Sequence, residues 1–356
     1  MKKMVKTVKI TNKELFESSV KKLRDAFIDE PEENVYILFE EIFNISKLNY
    51  FLNKDSLVDE SLLGFFNECL NKRIERIPIQ HITNKAWFYG YQFNVNENVL
   101  IPRMDTEILV ENSLEIIKSN LDKKLKFIKD NNSNNELIID SIINNQNIPN
   151  TFNILDMCTG SGCIAISIYL ELIKEYEPII NKAMNFNDSF ITGLDNNVNQ
   201  KFNKIYDDKD IRKFFKVYAS DVSEKALKVA EENAAKFDAD ISFNHGDLFQ
   251  NINEKFDFIL SNPPYIESNV IDTLSDEVKK DPMLALDGGE DGLFFYRKII
   301  DESVEFLKTD GYIAFEIGYN QGKAVSGLLK DKGFKNVSCI KDVNKLDRVV
   351  TGQFSN

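Results

Sequence analysis

From Phe152 to the end of the chain, short apolar runs alternate with stretches of helical periodicity. That alternation predicts a parallel sheet wound on both faces by helices, since parallel strands need long crossover connections. The expected strands are Phe152 to Met157, Lys216 to Ala219 leading to Asp221, Ile241 to Phe243, Phe256 to Leu260, and Tyr312 to Ile317. Helices are expected over Ile164 to Ile173, Ser223 to Lys236, Leu293 to Leu307 and Gln321 to Lys332. Val337 to Ile340 and Arg348 to Gln353 should close the chain as an antiparallel pair. Ligands of open α/β sheets bind beyond the carboxyl ends of the strands. The residues that follow each run are therefore the functional candidates.

The most informative of these is Asn262-Pro263-Pro264-Tyr265, directly behind Phe256 to Leu260. Neither proline can donate to a sheet ladder, so the strand must stop at Ser261 or Asn262. What remains at its end is an amide side chain, two rigid carbonyls and an aromatic ring, a set suited to holding a planar –NH2 group. The plain alternative is a strand stop with a capping Asn and a packed Tyr.

Asp156-Met157-Cys158-Thr159-Gly160-Ser161-Gly162 joins the first strand to its helix. Glycines there allow a sharp turn and a close ligand approach. Gly160, Gly162 and Ala165 also satisfy G-x-G-x-x-A, which keeps a dinucleotide site open beside one for S-adenosylmethionine. Asp221, after the second strand, can accept from two ribose hydroxyls. Asp195 is its rival, but Asn196 to Asn199 is a poor helix start. Asp247 can accept from an adenine amino group, and Leu248 can cover the ring. Taken singly, each Asp is more often a cap or turn residue than a ligand.

The amino-terminal part reads differently. Thr11 and Glu14 form a capping-box pattern ahead of Leu15, Phe16, Val20, Leu23 and Phe27. Pro31 suits a first helical position, with Val35, Leu38, Phe39 and Ile42 on one face. A third helix is expected over Ser61 to Arg76, ended by Pro78. Between Ala86 and Ile101 the aromatic run Trp87 to Phe93 and a return arm Val95 to Ile101 suggest a hairpin, turning at Asn96-Glu97-Asn98. Asp105-Thr106-Glu107 then opens a helix. Two stretches, 119–151 and about 174–215, read as insertions without an assigned role. The expected division is 1–84 helical, 85–118 hairpin and connecting helix, and 152–356 catalytic.

A formal charge of −13 argues against a broad basic face for phosphate backbones. The four cysteines show no paired spacing and there are two histidines, which argues against a zinc site. The first ten residues lack the apolar stretch of a signal peptide, and no run approaches membrane-spanning length. A cytoplasmic, monomeric protein is expected.

These residues resemble the HemK/PrmC-type N5-glutamine methyltransferases of peptide chain release factors. The resemblance is carried by Ile101-Pro102-Arg103-Met104-Asp105-Thr106-Glu107, the glycine loop and Asn262 to Ile266. Pro78 to Thr83 and Glu316-Ile317-Gly318 with Gln321-Gly322 also fit. It covers nearly the whole chain outside the insertions and the extreme amino terminus. Cys158 stands where the family often has Gly, and Met104 where Pro is common. The resemblance implies a Rossmann-like, seven-stranded class I S-adenosylmethionine-dependent methyltransferase domain, preceded by a small all-α substrate-recognition domain and a β-hairpin connector. It implies that Cys158, Thr159, Gly160, Ser161 and Gly162, with Asp156, Asp221, Asp247, Leu248 and Asn262, surround S-adenosylmethionine. It further implies that Asn262, Pro263, Pro264 and Tyr265 hold a glutamine of release factors 1 and 2, in their Gly-Gly-Gln segment, with no direct nucleic-acid contact. The competing reading is a nucleic-acid amino-methyltransferase acting on adenine N6 or guanine N2, since such groups offer the tetrapeptide a comparable –NH2. A binding module without turnover is a third.

Overall fold

A computed structural model describes residues 9–130, 151–187 and 214–355. The helical amino-terminal part contains α1 (Asn12–Asp25), α2 (Pro31–Phe43), α3 (Lys47–Asn53), α4 (Leu63–Ile74) and α5 (Ile79–Thr83). Thr11 and Glu14 cap α1 reciprocally, each side chain accepting from the other's backbone N–H. Leu23, Val35, Leu38, Phe39, Phe66 and Leu70 make the centre of a core separate from that of the sheet. Phe27 departs from its expected place on the α1 stripe. The helix ends before it, its φ is +55°, and 83% of it is exposed, while Ile28 takes the buried position. The α3 helix carries no continuous buried stripe, so sequence periodicity did not mark it. Tyr50 alone is buried, and Leu48, Phe51 and Leu52 are exposed.

The connector pairs β1 (Lys85–Phe88) with β2 (Tyr91–Asn94). The turn is Tyr89-Gly90, both at positive φ (+50° and +79°), as a two-residue hairpin requires. The expected return arm was displaced. Val95, Val99 and Ile101 are buried because they pack on Ala226 and Val229, and no strand runs there. The Asn96 side chain accepts from Asn98 N–H, making the segment a local side-chain turn. Glu107 accepts from Tyr89 N–H at 2.8 Å and so fastens the hairpin to α6 (Glu107–Asp130).

The seven-stranded sheet has the order β5-β4-β3-β6-β7-β9-β8. Its members are β3 (Phe152–Met157), β4 (Phe215–Asp221), β5 (Ile241–His245), β6 (Phe256–Ser261), β7 (Leu307–Glu316), β8 (Lys335–Lys341) and β9 (Asp347–Gln353). The first five are parallel, and β9 runs antiparallel between β7 and β8. The helices α7 (Cys163–Asn187), α8 (Glu224–Lys236), α9 (Phe294–Phe306) and α10 (Gly322–Asp331) cover it. β7 begins earlier than expected because the chain turns straight from α9 into the sheet. A register shift opposite Phe256 and Phe258 takes up the extra residues. Both expected insertions begin as continuations of α6 and α7, and residues 131–150 and 188–213 lie outside the described residues. So does Asp195. Among the described residues no helix is long and apolar enough to cross a membrane.

One buried side chain joins the hairpin to the sheet. Asn233 on α8 accepts from Asn94 N–H (2.7 Å) and donates to Asn94 O and Ser161 O (2.9 Å each). Asn233→Leu should therefore cost roughly 2–4 kcal/mol, because it strands buried backbone groups at two places. Chemical denaturation would read that loss, and a cost under about 0.5 kcal/mol would contradict the assignment.

Candidate active site

The strand order reverses beside β3, which is flanked by β4 and β6, and ligands of open α/β sheets bind in the crevice outside the strand ends at such a switch point. Met157 at the end of β3 is the register partner of both Ser220 on β4 and Ser261 on β6. Ser261 Oγ donates to Met157 O at 2.7 Å. The glycine loop, Asp221 and the tetrapeptide therefore leave the sheet at neighbouring points. β6 ends at Ser261, as two following prolines require.

The loop after β3 is held by backbone geometry and by two carboxylates. Cys158 sits at φ +62°, a left-handed conformation that costs a non-glycine residue about 1–2 kcal/mol. This is the physical content of a position at which glycine is expected. Burial pushes its thiol well above the ordinary range, so it stays protonated. Gly160 (φ +55°) faces open space, and nothing would meet a Cβ built there. Gly162 (φ +78°) has a different reason: a Cβ would lie 3.0 Å from that of Ala230, so close packing on α8 accounts for the glycine.

Asp156 is fully buried. Its Oδ2 accepts from Thr159 Oγ1 (2.6 Å) and Ala165 N–H (3.1 Å), while Oδ1 has no partner among the described residues. Burial raises its pKa to about 7 against the pull of those two donors. Asp221 accepts from Gly160 N–H at Oδ2 and from Ser223 N–H at Oδ1, both at 2.9 Å. Burial raises its pKa, and the backbone donors oppose this. A carboxylate has about four acceptor sites, so acceptor capacity remains for a ligand hydroxyl. Asp247 and Leu248 follow β5 in a turn. Asp247 is exposed and 3.5 Å from Lys298 Nζ, and the Leu248 side chain is buried in the core at φ +51°.

The tetrapeptide is caged from three sides. Asn262 Nδ2 donates to Thr106 Oγ1 at 3.3 Å, which leaves Oδ1 without a partner among the described residues. Tyr265 O accepts from Gln321 Nε2 at 3.0 Å, and Gln321 also donates to Gly292 O and accepts from Gly318 N–H. The loop at 286–292 runs beside it, with Ile266 N–H donating to Leu286 O and Gly288 N–H to Ile266 O. Gly288 and Gly292 allow this contact: a Cβ at either would lie 2.7 Å from Tyr265 Cα or 2.4 Å from Tyr265 O. Tyr265 OH lies 3.5 Å from Glu316 Oε1, and burial keeps the phenol protonated.

Glu316 was legible in the sequence only as part of a motif. It ends β7, beside β6, and is almost wholly buried, with Oε2 lacking a hydrogen-bond partner among the described residues. Burial raises its pKa to about 7, while the Thr106 hydroxyl, Arg348 and Tyr265 pull it back. The signal available in the sequence was an acid at the carboxyl end of the strand next to the tetrapeptide's own. Arg103 pairs with the buried Asp281 carboxylate, which also accepts from Ile101 N–H (3.4 Å). Arg103 and Glu107 therefore both serve as fasteners here. On the same side, Arg73 of α4 reaches Glu277 at 2.8 Å and ties the amino-terminal helices to the loop beyond the tetrapeptide.

Two family models match the chain: the PrmC N-terminal domain over residues 14–83 and the methyltransferase small domain over residues 209–279. The release factor glutamine methyltransferase of Clostridium acetobutylicum is 32% identical over 94% of this chain and 94% of its own length. That of Clostridium botulinum is 34% identical over 92% and 94%, and that of Caulobacter vibrioides 30% over 93% and 92%. At this similarity, sustained along nearly all of both partners, the chain belongs to the release factor glutamine methyltransferase family.

Proposed function

We propose that this chain methylates the side-chain amide nitrogen of the glutamine in the Gly-Gly-Gln segment of peptide chain release factors 1 and 2, with S-adenosylmethionine as donor. The observation that carries the proposal is the pairing of Met157 with Ser261, which starts a nucleotide-type glycine loop and an –NH2 clamp side by side. The named relatives supply the class of substrate.

The residues fit the cofactor. Asp221 has acceptor capacity for a ribose, Gly160 leaves room for close approach, and Asp156 Oδ1 is a buried acceptor that a cationic group would satisfy. Three carboxylates beside the crevice, those of Asp156, Asp221 and Asp247, suit a cationic donor better than a pyrophosphate. When bound, S-adenosylmethionine supplies an electrophilic methyl on a sulfonium.

The chain's own task is orientation. An amide nitrogen is a poor nucleophile because its lone pair is delocalised into the carbonyl. Asn262 Oδ1 and Pro263 O would accept its two N–H groups and turn one lobe toward the methyl, while Tyr265 packs on the amide plane. Such positioning supplies roughly 7–11 kcal/mol in favourable intramolecular cases. The helical amino-terminal part, tied through Arg73 to the loop beyond the tetrapeptide, would dock the release factor.

Mass analysis of a release factor incubated with the enzyme and cofactor tests the reading. One methyl on the Gly-Gly-Gln glutamine is expected. An unmodified glutamine, with a positive control methylated in parallel, would refute it, and label transferred to nucleic acid alone would favour the base-methylating alternative. For the cofactor, Asp221→Asn should weaken S-adenosylmethionine binding by roughly 10–100-fold, the worth of charge-assisted hydrogen bonds. Titration calorimetry reads this directly, and unchanged affinity would remove Asp221 from the site.

A further inference from the structure

We infer that Glu277 is a positioning residue that sets the enzyme's preference for a whole release factor over a short Gly-Gly-Gln peptide: it holds the amino-terminal helices in one place relative to the tetrapeptide. The inference rests on the methyltransferase reading above and adds to it a residue outside the reacting centre.

The tie begins inside the helical part. Arg73 of α4 is buried, and all three of its guanidinium nitrogens have acceptors. Nε donates to Asn34 Oδ1 (2.7 Å), Nη1 to Ile77 O (3.3 Å) and Nη2 to Glu277 Oε1 (2.8 Å). Asn34 is itself pinned, its Nδ2 donating to Asp29 O (3.0 Å) and Glu30 O (2.9 Å) at the turn before α2. Arg76 brings a second donor to within 3.5 Å of Glu277 Oε1, and its Nη2 donates to Ala26 O (3.0 Å) at the end of α1. A planar fork held in this way has one orientation, and the carboxylate that answers it is held with it. The helices α1, α2 and α4 therefore all bear on Glu277. The Arg73 and Glu277 side chains are 7% and 25% exposed, so the pair escapes the screening that leaves surface ion pairs worth little. Lys85 and Glu41, which link the hairpin to α2, are 40% and 35% exposed and make a weaker link.

From Glu277 the tie runs on to the tetrapeptide. Lys280 N–H donates to Glu277 O (3.1 Å) and Asp281 N–H to Val278 O (3.0 Å), closing a tight turn. The buried Asp281 carboxylate accepts from Ile101 N–H and from Arg103, which anchors the turn to the chain entering α6. Leu286 O then accepts from Ile266 N–H (3.0 Å), directly after Tyr265. The segment 277–286 is thus bonded at one end to the helices and at the other beside the clamp. A release factor held by its body on the helices would present its glutamine to the clamp as an intramolecular event. Its effective concentration there depends on how tightly the two parts are fixed to each other. A short Gly-Gly-Gln peptide has no body to hold and gains nothing from the tie.

The test compares wild type, Glu277→Ala and Glu277→Gln on a release factor and on a Gly-Gly-Gln peptide. Glu277→Ala should raise KM for the factor by about tenfold, a modest part of an effective-concentration gain, with kcat within about twofold of wild type. For the peptide, kcat/KM should stay within about twofold in the same variant. Glu277→Gln keeps an acceptor for Arg73 but loses the charge, so its KM for the factor should rise by about threefold. Independently of turnover, energy transfer is measured between dyes at two exposed positions, Lys21 on α1 and Lys335 on β8. It should give one narrow distance distribution in wild type and a broader one in Glu277→Ala. A wild-type KM for the factor in Glu277→Ala, an equal fall in kcat/KM for factor and peptide, or an unchanged distance distribution would overturn the role of Glu277. If far-ultraviolet circular dichroism shows helix lost in Glu277→Ala, Glu277→Gln decides by the same comparison. A KM raised for the factor alone supports the inference, and a wild-type KM overturns it. Absence of methyl transfer to either substrate in wild type would overturn the methyltransferase reading instead, and the distance distributions would still decide whether Glu277 fixes the helices.

Discussion

Asn262→Ala should lower kcat for glutamine methylation by roughly 10²–10³-fold, the scale seen when one preorganised polar group is removed from a reacting centre. The substitution deletes the acceptor proposed for one substrate N–H and leaves Pro263 O as the other. Its structural cost is small. Asn262 is half-buried, and its one hydrogen bond among the described residues goes to Thr106, a loss of about 1 kcal/mol. Activity and stability therefore separate. Cofactor affinity should fall far less than kcat, because Asp221 and the glycine loop, the main cofactor contacts, are held by bonds that do not pass through Asn262. Single-turnover kinetics with thermal unfolding would read both. A kcat within about threefold of wild type would show that the tetrapeptide only ends a strand.

The second large effect is expected from a residue that touches neither substrate nor cofactor. Gly292→Ala places a Cβ 2.4 Å from Tyr265 O and 2.7 Å from Gln321 Nε2, at a φ of +67° that disfavours any side chain. The backbone of Tyr265 must move, and the Gln321 bond that pins it is lost. A displacement of about 1 Å at a reacting group can cost 10²-fold in rate, and that is the fall expected in kcat. Cofactor affinity should hold, since the glycine loop lies on β3 and the 286–292 loop does not contact it through these bonds. A variant that retains wild-type kcat would mean that the cage does not position the tetrapeptide. Loss of cofactor binding would point to a general collapse of the crevice.

The residues that define the crevice were legible because strand ends are written locally. Phe256 to Leu260 must end where Pro263 and Pro264 begin, and the sheet follows from strand and helix periods alternating after Phe152. The contacts that fasten those ends were not, although Thr106, Glu316 and Gln321 stood out as motif residues. Glu316, Gln321, Gly292 and Thr106 reach the tetrapeptide through strand order and register, which pair positions far apart in the chain. No local pattern encodes the fact that β7 lies beside β6. The hairpin shows the same limit at short range. Val95, Val99 and Ile101 look like a strand because they are apolar and regularly spaced, yet their burial comes from packing on α8. Tyr89 accepted the positive φ that the turn needed, so the hairpin closed earlier than the Asn-rich segment suggested. Phe27 fell on the expected helical stripe, but the helix had already ended. Gly160 and Gly162 read alike in the sequence, and only the position of Ala230 separates a packing glycine from one that faces open space.

The account turns on whether the tetrapeptide grips a glutamine amide beside the methyl donor. A structure of the enzyme with S-adenosylhomocysteine and a Gly-Gly-Gln peptide tests it most directly. The predicted result is a glutamine amide nitrogen within about 2.7–3.2 Å of both Asn262 Oδ1 and Pro263 O, with its free face toward the cofactor sulfur. A glutamine bound elsewhere, or held with its carbonyl in place of its nitrogen at Asn262 and Pro263, would contradict it.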